Sequence, residues 1–178
     1  MKNLEFALDV LAQVKVPVQF NIYGPKELPS YWTRCEMLIA KLPPNIRVFY
    51  GGSVENSQVR SVIAEHDLFF VPSRGENFGH VFIEALAAGV PILVSDRTPW
   101  RELKVQKLGW DISLNHPSEF VRAVEYLAAS DTGSRTEMRT NCINFALGII
   151  EDKEALDMNR RLFLNANVSQ RLIDGLHR

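Results

Sequence analysis

Short apolar runs alternate along this chain with stretches whose apolar residues recur at helical spacing. In NLEFALDVLAQV (3–14), Leu4, Ala7, Leu8 and Leu11 fall on one helical stripe, with Asn3 in place as an N-cap. PVQFNIYG (17–24) reads as a strand closed by Gly24, SYWTRCEMLIAKL as a helix, and IRVFYGG (46–52) as a second strand. ENSQVRSVIAEH predicts a helix, and DLFFVPS (67–73) a strand apolar enough for the centre of a sheet. A helix then runs from about Gly79 to Ala88, stopped by Gly89 and Pro91. PILVSD (91–96) and GWDISL (109–114) are further strands, and from Pro117 onward the chain reads as helical. Alternation of this kind predicts βα units and a parallel sheet: one doubly wound α/β domain over residues 1–130, with a helical extension of it over 131–178.

Charge and composition narrow the function. The chain has 178 residues, 20 basic and 21 acidic, so the net charge of -1 supplies no basic footprint for nucleic acid. No apolar run reaches the length that spans a bilayer, and no signal-peptide core is present, which predicts a cytoplasmic protein with at most peripheral membrane contact. Cys35 and Cys142 fit neither a metal spacing nor a disulfide framework. His66, His80, His116 and His177 have no metal-type spacing, and no Asp-x-Asp pair, G-x-G-x-x-G turn, P-loop or nucleophile elbow occurs.

Candidate chemistry concentrates in GENFGHVFIEALAAGVP (75–91). Open parallel sheets bind ligands outside the carboxyl ends of their strands, and GENFGH sits between such an end and a helix start. The first amides of a helix lack intrahelical partners, its dipole favours an anion, and Gly75 and Gly79 allow close approach of backbone to ligand. Glu84 falls among Phe82, Ile83, Ala85, Leu86 and Ala87, a poor setting for a carboxylate without a partner. Its spacing from the helix start suits a pair of ribose hydroxyls, while Glu76 would meet a sugar beyond the phosphates. The alternative is that Glu76 is an acid favoured by the dipole and Glu84 a solvated helix residue.

VPSRGENFGHVFIEALAAGVPILVSD resembles the donor-binding segment of the retaining GT-B glycosyltransferases of the group 1 (family 4) class. The likeness rests on two glutamates separated by seven residues, and on Pro72, Ser73, Glu76, Phe78, Gly79, Glu84, Ala85, Ala88, Gly89 and Pro91. The order from KN through IYG, VFYGG and HDLFFVPS follows that class's C-terminal Rossmann-like domain, over about residues 2–128. The resemblance implies that Glu84 holds the ribose of a UDP- or GDP-sugar and Glu76 the hydroxyls of its sugar. It implies that the amides of Asn77, Phe78 and Gly79 line the sugar and those of His80 and Val81 the phosphates. Lys2 matches a lysine that neutralises the departing diphosphate, although a lysine so placed also reads as a solvated side chain. Gly24, Gly51 and Gly52 would bring their loops to the base. Neither a metal nor any other cofactor is implied, and the acceptor, a glycan or a lipid, would sit on an N-terminal domain that this chain lacks.

The resemblance also predicts a gap. In that class the KN helix follows a strand carrying a Gly-Arg pair. In the strand order 3-2-1-4-5-6 this first strand would lie between VQFNIYG and DLFFVPS, so the sheet is expected to lack it. RTPWREL departs from the usual glycine-containing loop, with Trp100 either walling the sugar pocket or capping the core. His80 is either a ligand-side residue or a neutral imidazole beside the dipole. Two other functions fit the pattern: a non-catalytic nucleotide-binding module, which would not need Glu76, and a GT-B-fold sugar epimerase.

Overall fold

The computed structural model describes residues 2–77 and 79–151. Its elements, in order, are α1 (Leu4–Leu11), β1 (Val18–Tyr23), α2 (Pro29–Ile39), β2 (Ile46–Gly52), α3 (Asn56–Ala64) and β3 (Phe69–Val71). Then come α4 (His80–Ala87), β4 (Ile92–Ser95), β5 (Gly109–Ile112), α5 (Pro117–Ala129) and α6 (Thr132–Glu151). All strand pairs are parallel.

β4 organises the core. All four of its residues are buried, and strand alternation sends their side chains to opposite faces. Ile92 and Val94 pack with Ile63 of α3, Phe82 of α4, and Cys142 and Ala146 of α6. Leu93 packs on the other side with Val10 and Leu11 of α1 and Phe120 of α5. Helices therefore cover both faces, as the doubly wound reading requires. Each of the Ile, Val, Leu and Phe side chains stabilises the fold by about 1.5–3 kcal/mol through burial. Cys35 and Cys142 are free and buried, and burial pushes the Cys142 thiol up to about 12, which keeps it an inert core group.

Three features depart from the sequence reading. β3 is not central: the strands form two sheets, β1-β2 and β3-β4-β5, and β3 is an edge of the second. The division falls between the two strands that the expected gap would separate. A groove of about 620 Å³ opens there, lined by Leu11, Val18, Phe20, Leu68, Phe70 and Leu127 among others. Across it the rings of Phe20 and Phe70 lie 6.4 Å apart, and the Asn21 amide meets His66 at 2.7 Å.

Second, Asn3 does precede α1, but in a left-handed conformation (φ 61) with no capping bond from its side chain, which is committed elsewhere. Third, the helical stretch after Pro117 breaks at Ser130. Asp131 accepts the Ser134 amide at 2.8 Å and its hydroxyl at 3.0 Å, which starts α6 afresh and holds the Asp131 carboxyl below its usual value. Of the proposed extension 131–178, the part beyond residue 151 lies outside the described residues.

Candidate functional site

The turn between β3 and α4 is shaped by Gly79, the residue before α4, at φ 69. A Cβ there would lie 2.5 Å from the Phe82 ring and 3.1 Å from Cγ of Glu76, so a side chain is excluded by contact as well as by backbone conformation. The Phe82 ring is fully buried, stacked edge-on against Phe69 (6.1 Å) and Trp100 (6.1 Å). The turn thus rests on the core. The bond from the Phe82 amide to the Gly79 carbonyl (2.8 Å) closes the first turn of α4 and sets the helix N-terminus at this turn.

Lys2 comes to this turn from the start of the chain. Its ammonium donates to a Glu76 carboxylate oxygen and lies 5.9 Å from the centre of the Phe82 ring. The Lys2 side chain is 60% exposed and that of Glu76 21%, so the pair contributes at most about 1 kcal/mol to stability. Its importance is positional: a cation, a carboxylate and a helix N-terminus share one spot. Asn77 and His80 are exposed beside it and Val81 is half-buried. Phe78 lies outside the described residues.

Glu84 is exposed, and its side chain has no hydrogen-bond or ion-pair partner among the described residues. The apolar neighbours that made it look buried are turned away from it. At 100° per residue, Glu84 stands opposite the buried Phe82 and Leu86, with the buried Ala85 to one side. The argument from burial therefore falls, while its place remains about 6 Å along the axis from His80.

Gly24 and Gly52 end β1 and β2 together, with the Gly24 amide donating to the Gly52 carbonyl at 2.8 Å. Tyr50 donates its hydroxyl to the Gly24 carbonyl at 2.7 Å, and Gly51 leaves space for the Tyr23 ring, which a Cβ would approach to 2.3 Å. No hydrogen bond or ion pair among the described residues joins this turn to the Lys2–Glu76 pair.

Trp100 is a core residue. It is 9% exposed, wedged between Phe82 and Phe145 (6.2 Å). Its loop is held by Arg101, whose guanidinium donates to the carbonyls of Asp96 (2.8 Å), Trp100 (2.8 Å) and Thr98. The sequence reading passed over Arg101, and also Arg74, whose Nε donates to Oδ1 of Asn3 at 3.2 Å. Two links, Lys2 to Glu76 and Asn3 to Arg74, thus lie side by side. The signal for Arg74 was its position two residues ahead of Glu76 in the same turn. Among the described residues no three His, Cys, Asp or Glu side chains gather as a metal site, and no helix is long and apolar enough to cross a membrane.

Comparison with known proteins gives three findings. A family profile described as "Glycosyl transferases group 1" matches residues 1–147. A Klebsiella pneumoniae protein described as "Uncharacterized 41.2 kDa protein in cps region" is 39% identical over 49 residues, 28% of this chain and 14% of its own. Among solved structures, Anabaena Alr3699/HepE in complex with UDP and glucose superposes with a TM-score of 0.73 at 18% identity, over 94% of this chain and 45% of that one. The catalytic domain of a Helicobacter pylori cholesterol-alpha-glucosyltransferase gives 0.65 at 14% identity, over 83% of this chain and 90% of that one. At such identities the structural likeness is one of fold, that of the GT-B C-terminal Rossmann-like domain. The match to this chain covers less than half of HepE and about a seventh of the Klebsiella protein.

Proposed function

The chain belongs to the group 1 glycosyltransferases, and from that premise we propose that it is the donor-binding domain of a retaining, family 4 enzyme. It takes a hexose-type sugar from a UDP- or GDP-sugar and passes it to a glycan or lipid acceptor with retention. The observation that carries this reading is the meeting of Lys2 and Glu76 at the N-terminus of α4.

Each group has a physical role. The amides of His80 and Val81 and the Lys2 ammonium receive the diphosphate, whose negative charge grows as the sugar leaves; preorganised donors aimed at developing charge are commonly the largest single catalytic contribution. Glu76 accepts hydrogen bonds from the sugar hydroxyls, with the backbone of Asn77, Phe78 and Gly79 along the sugar. Glu84, exposed and uncommitted, accepts from the ribose. The turn of Gly24 and Gly52 meets the base. The acceptor is held by a separate N-terminal domain, and the enzyme works in the cytoplasm with at most peripheral contact to a membrane.

Because their positions differ, the two glutamates separate by experiment. Glu84→Gln is expected to weaken binding of a free nucleoside diphosphate by about 1.5–3 kcal/mol, the value of a hydrogen bond to a charged group. Glu76→Gln should leave that binding nearly unchanged and weaken only the nucleotide-sugar. Titration calorimetry with UDP, GDP and their glucose conjugates decides: equal effects of both changes on the sugar-free nucleotide would sink these roles. EDTA is expected to leave donor affinity unaltered, since Lys2 and the helix N-terminus do the work of a divalent ion. A magnesium or manganese requirement in the same titration would contradict that.

A further inference from the structure

We propose that Asn21 and His66 are positioning residues for the donor: their hydrogen bond across the groove sets the spacing between the turn that meets the base and the turn that holds the sugar. The inference deepens the donor-site reading and rests on it for the ligand. The two turns belong to different sheets. Gly24 and Gly52 close β1 and β2, whereas Glu76 follows β3. Among the described residues no backbone ladder joins these sheets, so side chains must fix one against the other. Apolar contact across the groove, such as that of Phe20 with Phe70, is non-directional and tolerates sliding. A chain of hydrogen bonds does not.

His66 is wired in one direction. The Val62 carbonyl, in the last turn of α3, can only accept, so Nδ1 of His66 carries the proton and donates to it at 2.8 Å. Nε2 is left as an acceptor and takes the side-chain N–H of Asn21 at 2.7 Å. The Asn21 amide oxygen accepts in turn from the Gln19 side chain at 3.1 Å, which keeps the Asn21 amide nitrogen turned to the imidazole. The Tyr23 ring stands perpendicular to that imidazole, 6.0 Å from it. β1 thus grips His66 at two points and α3 holds it at a third. Both Asn21 and His66 are half-buried, where water competes less for their bond. Their places along the chain give the bond its leverage. Asn21 lies three residues ahead of Gly24, and His66 three ahead of Phe69, where β3 sets out toward Glu76.

The test uses the full chain and two readouts. Spin labels on cysteines placed at the exposed Arg47 of β2 and Arg122 of α5 report the distance between the sheets, because the native Cys35 and Cys142 are buried. That distance distribution is expected to broaden in His66→Ala and in Asn21→Ala. It should stay narrow in His66→Gln, whose amide oxygen can still accept from Asn21. Calorimetry with UDP-glucose and GDP-glucose is expected to show the alanine variants weakened about twofold to tenfold, the value of one hydrogen bond, with affinity recovered in His66→Gln. The double alanine variant should lose no more than either single one, since both remove the same bond. An unchanged distance distribution would overturn the proposal. So would a broadened one with the parent's donor affinity, or losses that add in the double variant. If the parent binds neither nucleotide-sugar, the donor-site reading falls and takes this inference with it. If the parent binds and the alanine variants bind as it does, the inference alone falls.

Discussion

Gly109→Ala is expected to destabilise the chain by about 3–5 kcal/mol, from backbone strain and overpacking acting together. Gly109 opens β5 at φ 136, paired with Ile92 of the buried strand β4. A Cβ there would lie 1.9 Å from the Ile92 carbonyl oxygen and 2.7 Å from its carbonyl carbon and amide nitrogen. These are backbone atoms in the middle of the core, so no side chain can swing aside to make room. Either the β4–β5 ladder separates or φ changes and β5 leaves its register. Gly148→Ala provides the control, because nothing lies within 4 Å of a Cβ at that position on α6. There the exchange is expected to stabilise by about 0.5–1 kcal/mol through better helix propensity. Urea unfolding of both variants checks the pair. A loss below about 1 kcal/mol at Gly109, no more than an average point change costs, would contradict the account.

Extending the polypeptide upstream of α1 by one apolar strand is expected to raise its melting temperature by about 5–10 °C, equivalent to a few kcal/mol for a domain of this size. The amide of Val18 donates to Asn45 on the β2 side and that of Phe69 to Pro91 on the β4 side, both at 2.9 Å. Strand alternation therefore turns the backbone groups of Gln19 and Asn21, and of Leu68 and Phe70, toward the groove between the sheets. Two such edges on an apolar groove fit a single parallel strand between them. A right-handed crossover through α1 would set such an added strand beside β1. The extended chain should also bind donor more tightly, because α1 carries Lys2 and Asn3 into the site. A melting temperature unmoved by the added strand would refute its place in the groove.

Much of the fold was legible in the sequence because it is written locally. The alternation of apolar runs with helical stripes located the elements from α1 to β5 to within a few residues, and β2 (Ile46–Gly52) to the residue, but not the break between α5 and α6. GENFGH showed where a glycine had to be, since Gly79 is needed by a turn spanning four residues. What the sequence could not show were relations between segments distant along the chain. DLFFVPS looked central by composition, yet β3 ends a three-stranded sheet, because a strand's place depends on which neighbours pair with it. Glu84 looked buried among its sequence neighbours and is exposed, because a helix turns successive residues through 100° and only packing decides which face goes inward. Trp100 was either pocket wall or core until Phe82 and Phe145 closed around it. Asn3 was a cap by local preference and became the anchor of Arg74, 71 residues away, because in the folded chain that guanidinium reaches the amide oxygen a cap would use. Sequence periodicity thus determined the elements, and long-range contacts decided their faces, edges and partners.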